Sequence, residues 1–112
     1  MTRFACMGFA IVVWAALAAP AAAQAPAAGQ KVFEAQKCSL CHSIEGTGNK
    51  KGPLDGVGTK LTAAETRQWI VDAKTMTEKT QATRKPPMKA YANLSKEDVD
   101  ALVAYLQTLK KK

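Results

Sequence analysis

The 112-residue chain is short of the groups most active sites are built from. It has one histidine, three cysteines and seven aromatic residues. Two cysteines and one histidine outside the leader cannot supply the four ligands of a structural zinc site. No alternating β-branched run appears, so the strand-helix-strand setting of a thioredoxin-like C-x-x-C pair is missing. No apolar run reaches the roughly 20 residues a spanning helix needs. There is no internal repeat, and the length excludes a multidomain enzyme. Acidic residues are few, 9 against 16 Lys and Arg. Basic balance alone is weak evidence for nucleic acid, and few aromatics and no recognition motif argue against it.

What the chain does have is unevenly placed. Nineteen hydrophobic residues fall in the first 23, and 34 remain in residues 24–112. Residues 1–23 read as a secretory signal peptide: Arg3 near the start, an apolar run over 4–19, a break at Pro20 and a small-residue A-x-A signal before Gln24. The alternative is an uncleaved membrane anchor. With Arg3 removed, 15 Lys and Arg face 9 Asp and Glu, a net charge of +6. The exported part is one small domain with a modest apolar stock, the kind that a metal, a disulfide or a partner commonly helps to stabilise.

Residues 24–28 are Ala- and Pro-rich and are expected to be a disordered lead-in, with the domain at 29–112. A short helix is expected over 29–37, with Val32, Phe33 and Gln36 on one face. Glycine and proline breaks make 38–59 a loop. A second helix is expected over 62–73, started by Thr62 and Glu65 as a capping box, with Trp69, Ile70 and Ala73 on its apolar face. Residues 74–87, rich in Thr and Lys and closed by Pro86-Pro87, read as a long loop of the sort that is usually functional. Ser95 caps a last helix, in which Val99, Leu102, Val103, Leu106 and Leu109 recur at helical spacing. The fold class is all-α, with three main helices and long loops.

The chemistry lies in Cys38-Ser39-Leu40-Cys41-His42. In an exported chain a C-x-x-C-H string reads as covalent haem attachment. Two thiols one turn apart can reach the two vinyl groups of one porphyrin, and the adjacent imidazole then lies under the iron. A Cys38–Cys41 disulfide is also open to an exported chain, but so short a loop would stabilise little. A sixth iron ligand must come from elsewhere. Met88 follows Lys85-Pro86-Pro87, whose prolines forbid helix and stiffen the backbone. Met76, among polar residues just past a helix, is the weaker candidate.

These segments, with Gly52-Pro53, Pro87-Met88-Lys89-Ala90-Tyr91, Leu94-Ser95 and Ala104-Tyr105-Leu106, resemble class I monohaem cytochromes c of the small bacterial periplasmic type. The resemblance implies one haem c joined by thioethers to Cys38 and Cys41, with His42 and Met88 as axial iron ligands. It implies that the Pro53 carbonyl accepts the second ring N–H of His42, fixing the imidazole. It also implies that the first and last helices cross, with Phe33 near Tyr105. Trp69 would either hydrogen-bond a haem propionate or fill the core. The family often has its leucine one place later than Leu54, which leaves open whether Leu54 or Val57 lines the haem pocket.

With both axial sites filled, the expected function is single-electron carriage rather than catalysis, with Met/His ligation raising the potential. The expected partners are redox proteins with acidic docking faces: a membrane oxidoreductase, a terminal oxidase or a dehydrogenase in a respiratory chain. The expected location is the periplasm, as a monomer without stable membrane insertion once the leader is cut. Lys37, Lys50, Lys51, Lys85 and Lys89 flank the haem-binding segments and would steer encounter. Two other readings stay open. One is a sensor or small haem enzyme with a labile sixth site, and the other is a haem subunit of a larger dehydrogenase.

Overall fold

The computed structural model describes residues 21–112, together with Val13 and Ala15. The leader read at 1–23 therefore lies almost wholly outside the described residues. Among those described, no helix is long and apolar enough to cross a membrane.

Helix α1 (Ala21–Ala35) starts before the domain start expected at 29. The segment 24–28, expected to be a disordered lead-in, is helical instead. Pro26 lies inside this helix, past its first turn, and removes one amide donor from its hydrogen-bond ladder. At its other end α1 gives way to Lys37, whose φ of 55° turns the chain into the left-handed region.

The next segment is tightly wound. Cys38–Leu40 form a 3-10 turn. Strands β1 (Ser43–Ile44) and β2 (Thr47–Gly48) pair antiparallel, Ser43 opposite Gly48 and Ile44 opposite Thr47. Glu45 and Gly46 both have positive φ, 50° and 79°, as a two-residue hairpin turn of the right twist demands. So the region expected as plain loop holds a minimal hairpin. Ser43 also makes a parallel bridge to Pro53. Helix α2 (Val57–Lys60) is a single turn.

Helix α3 (Ala63–Val71) begins where the capping signal put it: the Thr62 hydroxyl accepts from the Glu65 amide at 3.1 Å. It ends at Asp72, which also opens α4 (Ala73–Thr80). The first half of the long loop expected over 74–87 is thus a helix. Its sequence hides this, because Thr and Lys dominate and only Ala73 and Met76, three apart, are buried. The Thr77 and Thr80 hydroxyls donate back to the Ala73 and Met76 carbonyls, at 2.8 and 2.7 Å, taking up polar groups that could compete with the helix. Irregular chain follows over 81–95. Helix α5 (Lys96–Gln107) is capped by Ser95, which accepts from the Asp98 amide at 3.1 Å.

The described residues therefore form five α-helices, where three main ones were expected. The core is built from Phe33 of α1, Ile70 of α3, and Val99, Leu102, Val103 and Leu106 of α5. Burying four residues on one face of α5 follows from their three- and four-residue spacing. Helices α1 and α5 cross closely at Gly29, where a β-carbon would overlap the Ala101 carbonyl. Phe33 and Tyr105 meet edge to face beside that crossing, with ring centroids 6.0 Å apart. Leu54 and Val57 both pack half-buried against the same core, so the structure does not choose between them.

Candidate haem-binding site

The 3-10 turn sets the geometry of the site. The Cys41 and His42 amides both donate to the Cys38 carbonyl, at 3.1 and 2.9 Å. That places Cys38 and Cys41 one turn apart and His42 directly after them. Both thiols are free. Cys38 is half-buried against the core and Cys41 is exposed. Burial pushes the Cys38 thiol above its ordinary value. A nucleophilic redox cysteine needs the opposite, a thiol lowered by a helix end or a nearby cation. The turn thus presents two unpaired sulfurs and an imidazole, a donor set that fits a covalently attached haem.

His42 is fixed by its backbone surroundings. Its Nδ1 lies 3.0 Å from the Gly52 carbonyl oxygen. A carbonyl can only accept, so Nδ1 carries the proton and Nε2 keeps the lone pair. Burial holds the His42 pKa below the ordinary value, opposed by the Gly52 bond and aided by the nearby Arg84 charge. The imidazole is therefore neutral near pH 7, the form that binds a metal.

The carbonyl expected to hold His42 was that of Pro53, and the structure corrects it by one residue. In the bridge between Ser43 and Pro53, the Ser43 amide donates to the Gly52 carbonyl at 3.1 Å. The Leu54 amide donates to the Ser43 carbonyl at 2.8 Å. Successive carbonyls of an extended chain point opposite ways, so the one facing His42 belongs to Gly52 and that of Pro53 points away. Pro53 remains at the site as the residue of the bridge.

Other parts of the loop brace the turn. The Asn49 side chain donates to the Leu40 carbonyl at 3.0 Å, and its amide reaches the Ser39 and His42 carbonyls, each at 3.0 Å. Gly48, at φ 106°, comes so close to the His42 carbonyl that a β-carbon would overlap it.

Met88 lies half-buried in the irregular segment before α5. That segment is tied on both sides. The Arg84 guanidinium donates to the Cys41 carbonyl, and the Tyr91 amide donates to the Ile70 carbonyl at 2.7 Å. The Tyr91 phenol is pushed up by burial and then by Cys38 and Cys41, so it shares their neighbourhood. Met76, by contrast, is 4% exposed and packed within α4. Trp69 is half-buried on α3, next to the Ile70 carbonyl where the Met88 segment docks.

The sequence reading missed Arg84, Asn49 and the Gly52 carbonyl. Asn49 and Gly52 sit within ten residues of His42, and the break-rich loop hinted at them. Arg84 lies 43 residues from its partner and left no local signal.

The family model for cytochrome c matches residues 26–110. Cytochrome c oxidase subunit 2 of Alkalihalophilus pseudofirmus (strain ATCC BAA-2126 / JCM 17055 / OF4) is 33% identical over 91 residues, 73% of this chain. The chain spans 25% of that relative's length. No solved structure matches. A C-x-x-C-H turn with two free thiols and a neutral, backbone-held imidazole, inside a match this long, places the chain in the cytochrome c family, whose members bind haem c covalently and act in electron transfer.

Proposed function

We propose that the chain is a periplasmic monohaem carrier that passes single electrons between redox proteins. Cys38 and Cys41 would hold one haem by thioethers, His42 through Nε2 would be its proximal ligand, and Met88 its distal ligand. When bound, haem supplies an iron that changes charge by one, with a potential raised by Met/His ligation. The chain's own residues do the rest. The Gly52 carbonyl holds the Nδ1 proton of His42 and so orients the ring and raises its basicity. Met88 closes the other face from a segment anchored at Arg84 and Tyr91. With both faces taken, no position is left for a substrate, which favours carriage over catalysis.

The observation that carries this reading is the His42 tautomer, set by the Gly52 carbonyl, on a turn whose two thiols are free. The leader supports export, and the exposed lysines around the turn support acidic partners. The oxidase-subunit relative favours a terminal oxidase as one acceptor. It also favours a second reading, in which a chain of this kind delivers electrons while held in a larger complex.

The test is an ultraviolet–visible spectrum and intact mass of the purified periplasmic protein, beside Met88→Ala. The wild type should carry one covalent haem and a Met–iron charge-transfer band in the ferric state. Met88→Ala should keep the haem, lose the band and bind carbon monoxide readily. An unchanged band in Met88→Ala would overturn the ligand assignment, and a colourless wild type would overturn the function.

A further inference from the structure

We propose that Arg84 is a clasp that holds the Met88 segment over the haem site by gripping the turn on the opposite, proximal side. This rests on Met88 being the distal ligand. Arg84 lies four residues before Met88. Its guanidinium donates to the carbonyl of Cys41, the second thiol position and the residue immediately before His42. The same guanidinium sits against Gly52, where a β-carbon would overlap it. Gly52 is the residue whose carbonyl holds the His42 ring. One side chain therefore bridges the segment bearing the distal ligand, the residue before His42 and the residue whose carbonyl holds its ring.

Between the Ala82 amide, which donates to the Thr77 carbonyl at 3.0 Å, and Tyr91, the segment has little else to restrain it. Residues 82–87 are exposed, form no regular element and include Pro86 and Pro87, which have no amide proton to donate. The Tyr91 amide bond to Ile70 fixes the far side of Met88. Arg84 fixes the near side, so releasing it frees one side of the span that carries Met88. A planar, permanently charged guanidinium suits this role because it can meet a carbonyl and pack flat on a glycine at once. The absence of a side chain at Gly52 makes that packing possible.

The test is carried out on the haem-loaded protein. Carbon monoxide reaches the sixth position of ferrous haem only when the Met88 sulfur has left, so its binding rate reports how often the segment opens. A hydrogen bond from a charged donor at a partly solvated site, when lost, should raise that opening about tenfold. Arg84→Gln should bind carbon monoxide about tenfold faster than wild type, with its far-ultraviolet melting temperature lowered by no more than the roughly 10 °C that the loss of one such bond allows. Arg84→Lys, which keeps a donor but loses the fork, should be about threefold faster. If Arg84→Gln does not load haem, Arg84→Lys decides alone: a rate equal to wild type overturns the clasp and a threefold rise supports it. A wild-type rate in Arg84→Gln overturns the clasp while leaving the ligand assignment intact, provided Met88→Ala still loses the charge-transfer band. A melting temperature lowered well beyond that, or Arg84→Lys as fast as Arg84→Gln, also overturns it, since either would mean general packing. If Met88→Ala keeps its band, the ligand assignment has failed and the clasp fails with it.

Discussion

Single residues around the C-x-x-C-H turn act mostly through their backbone. Gly48 shows why. At φ 106° an L side chain is strained, and a β-carbon there would also overlap the His42 carbonyl. Gly48→Ala should therefore destabilise the protein by about 2 kcal/mol or more, read as a lower urea midpoint with an unchanged m-value. The C-x-x-C-H string was legible in the sequence, because Cys38, Cys41 and His42 fall within five residues and their spacing carries the signal. The groups that orient them were not. Whether Gly52 or Pro53 faces the imidazole is decided by the parity of an extended bridge, which no residue type encodes. Arg84 reaches a backbone carbonyl, and a carbonyl is the same at every position, so nothing in the local pattern could point to it.

Elements were legible in proportion to how strongly each announces its ends and its apolar face. Helix α5 has a serine cap, acidic residues in its first turn and four buried positions at helical spacing, so both its start and its face were legible. Helix α4 has only Ala73 and Met76 buried and a polar remainder, so tertiary packing rather than pattern defines it. The contact between α1 and α5 is set by Gly29. Alanine there gains about 1 kcal/mol of helix propensity. It also forces the helices apart, because its β-carbon would overlap the Ala101 carbonyl and crowd the Tyr105 side chain. Overpacking of a fixed crossing costs about 1–3 kcal/mol or more. Gly29→Ala should thus be net destabilising, seen as a lower melting temperature, although the same change on an open helix face would stabilise.

A second inter-helix tie gives a pH dependence. Asp100 on α5 accepts from Lys96 on its own helix at 2.7 Å and from Arg67 on α3. These bonds, Lys96 first and Arg67 second, hold its carboxyl below the ordinary value of 3.8 against a small opposing burial effect. Because the folded pKa is the lower one, the unfolded chain binds the proton first as pH falls. The tie is complete above the unfolded pKa and is lost as pH drops through the folded pKa. Asp100→Asn should lower the melting temperature at pH 6, and the gap to wild type should close as pH falls below 3.8. A gap that stays constant with pH would assign the effect to packing rather than charge.

On the scale of the whole molecule the sequence revealed the family and the sign of the charge but not its distribution in space. Lys37, Lys50, Lys51, Lys85 and Lys89 come from three separated stretches, and all five are exposed. Arg84 brings the segment of Lys85 and Lys89 onto the turn that follows Lys37, and the Gly52 contacts bring Lys50 and Lys51 to the same place. The folded chain thus gathers positive charge around the half of the molecule where Cys41 and the neighbouring Leu40, 69% exposed, face solvent. For the proposed carrier, electron transfer would need close approach at that face, and a cluster of one sign would steer an acidic partner to it. Screening then sets the rate, since the Debye length shrinks from about 30 Å at 0.01 M salt to about 8 Å at 0.15 M. The second-order rate of reduction by an acidic redox partner should fall about tenfold over that range. Lys50→Glu with Lys51→Glu should slow it at low salt and leave it nearly unchanged at high salt, by stopped-flow. The same substitutions at Lys74 and Lys79 on α4, away from the turn in sequence, should have a smaller effect at low salt. An equal effect would mean that net charge alone, rather than its placement, guides the encounter.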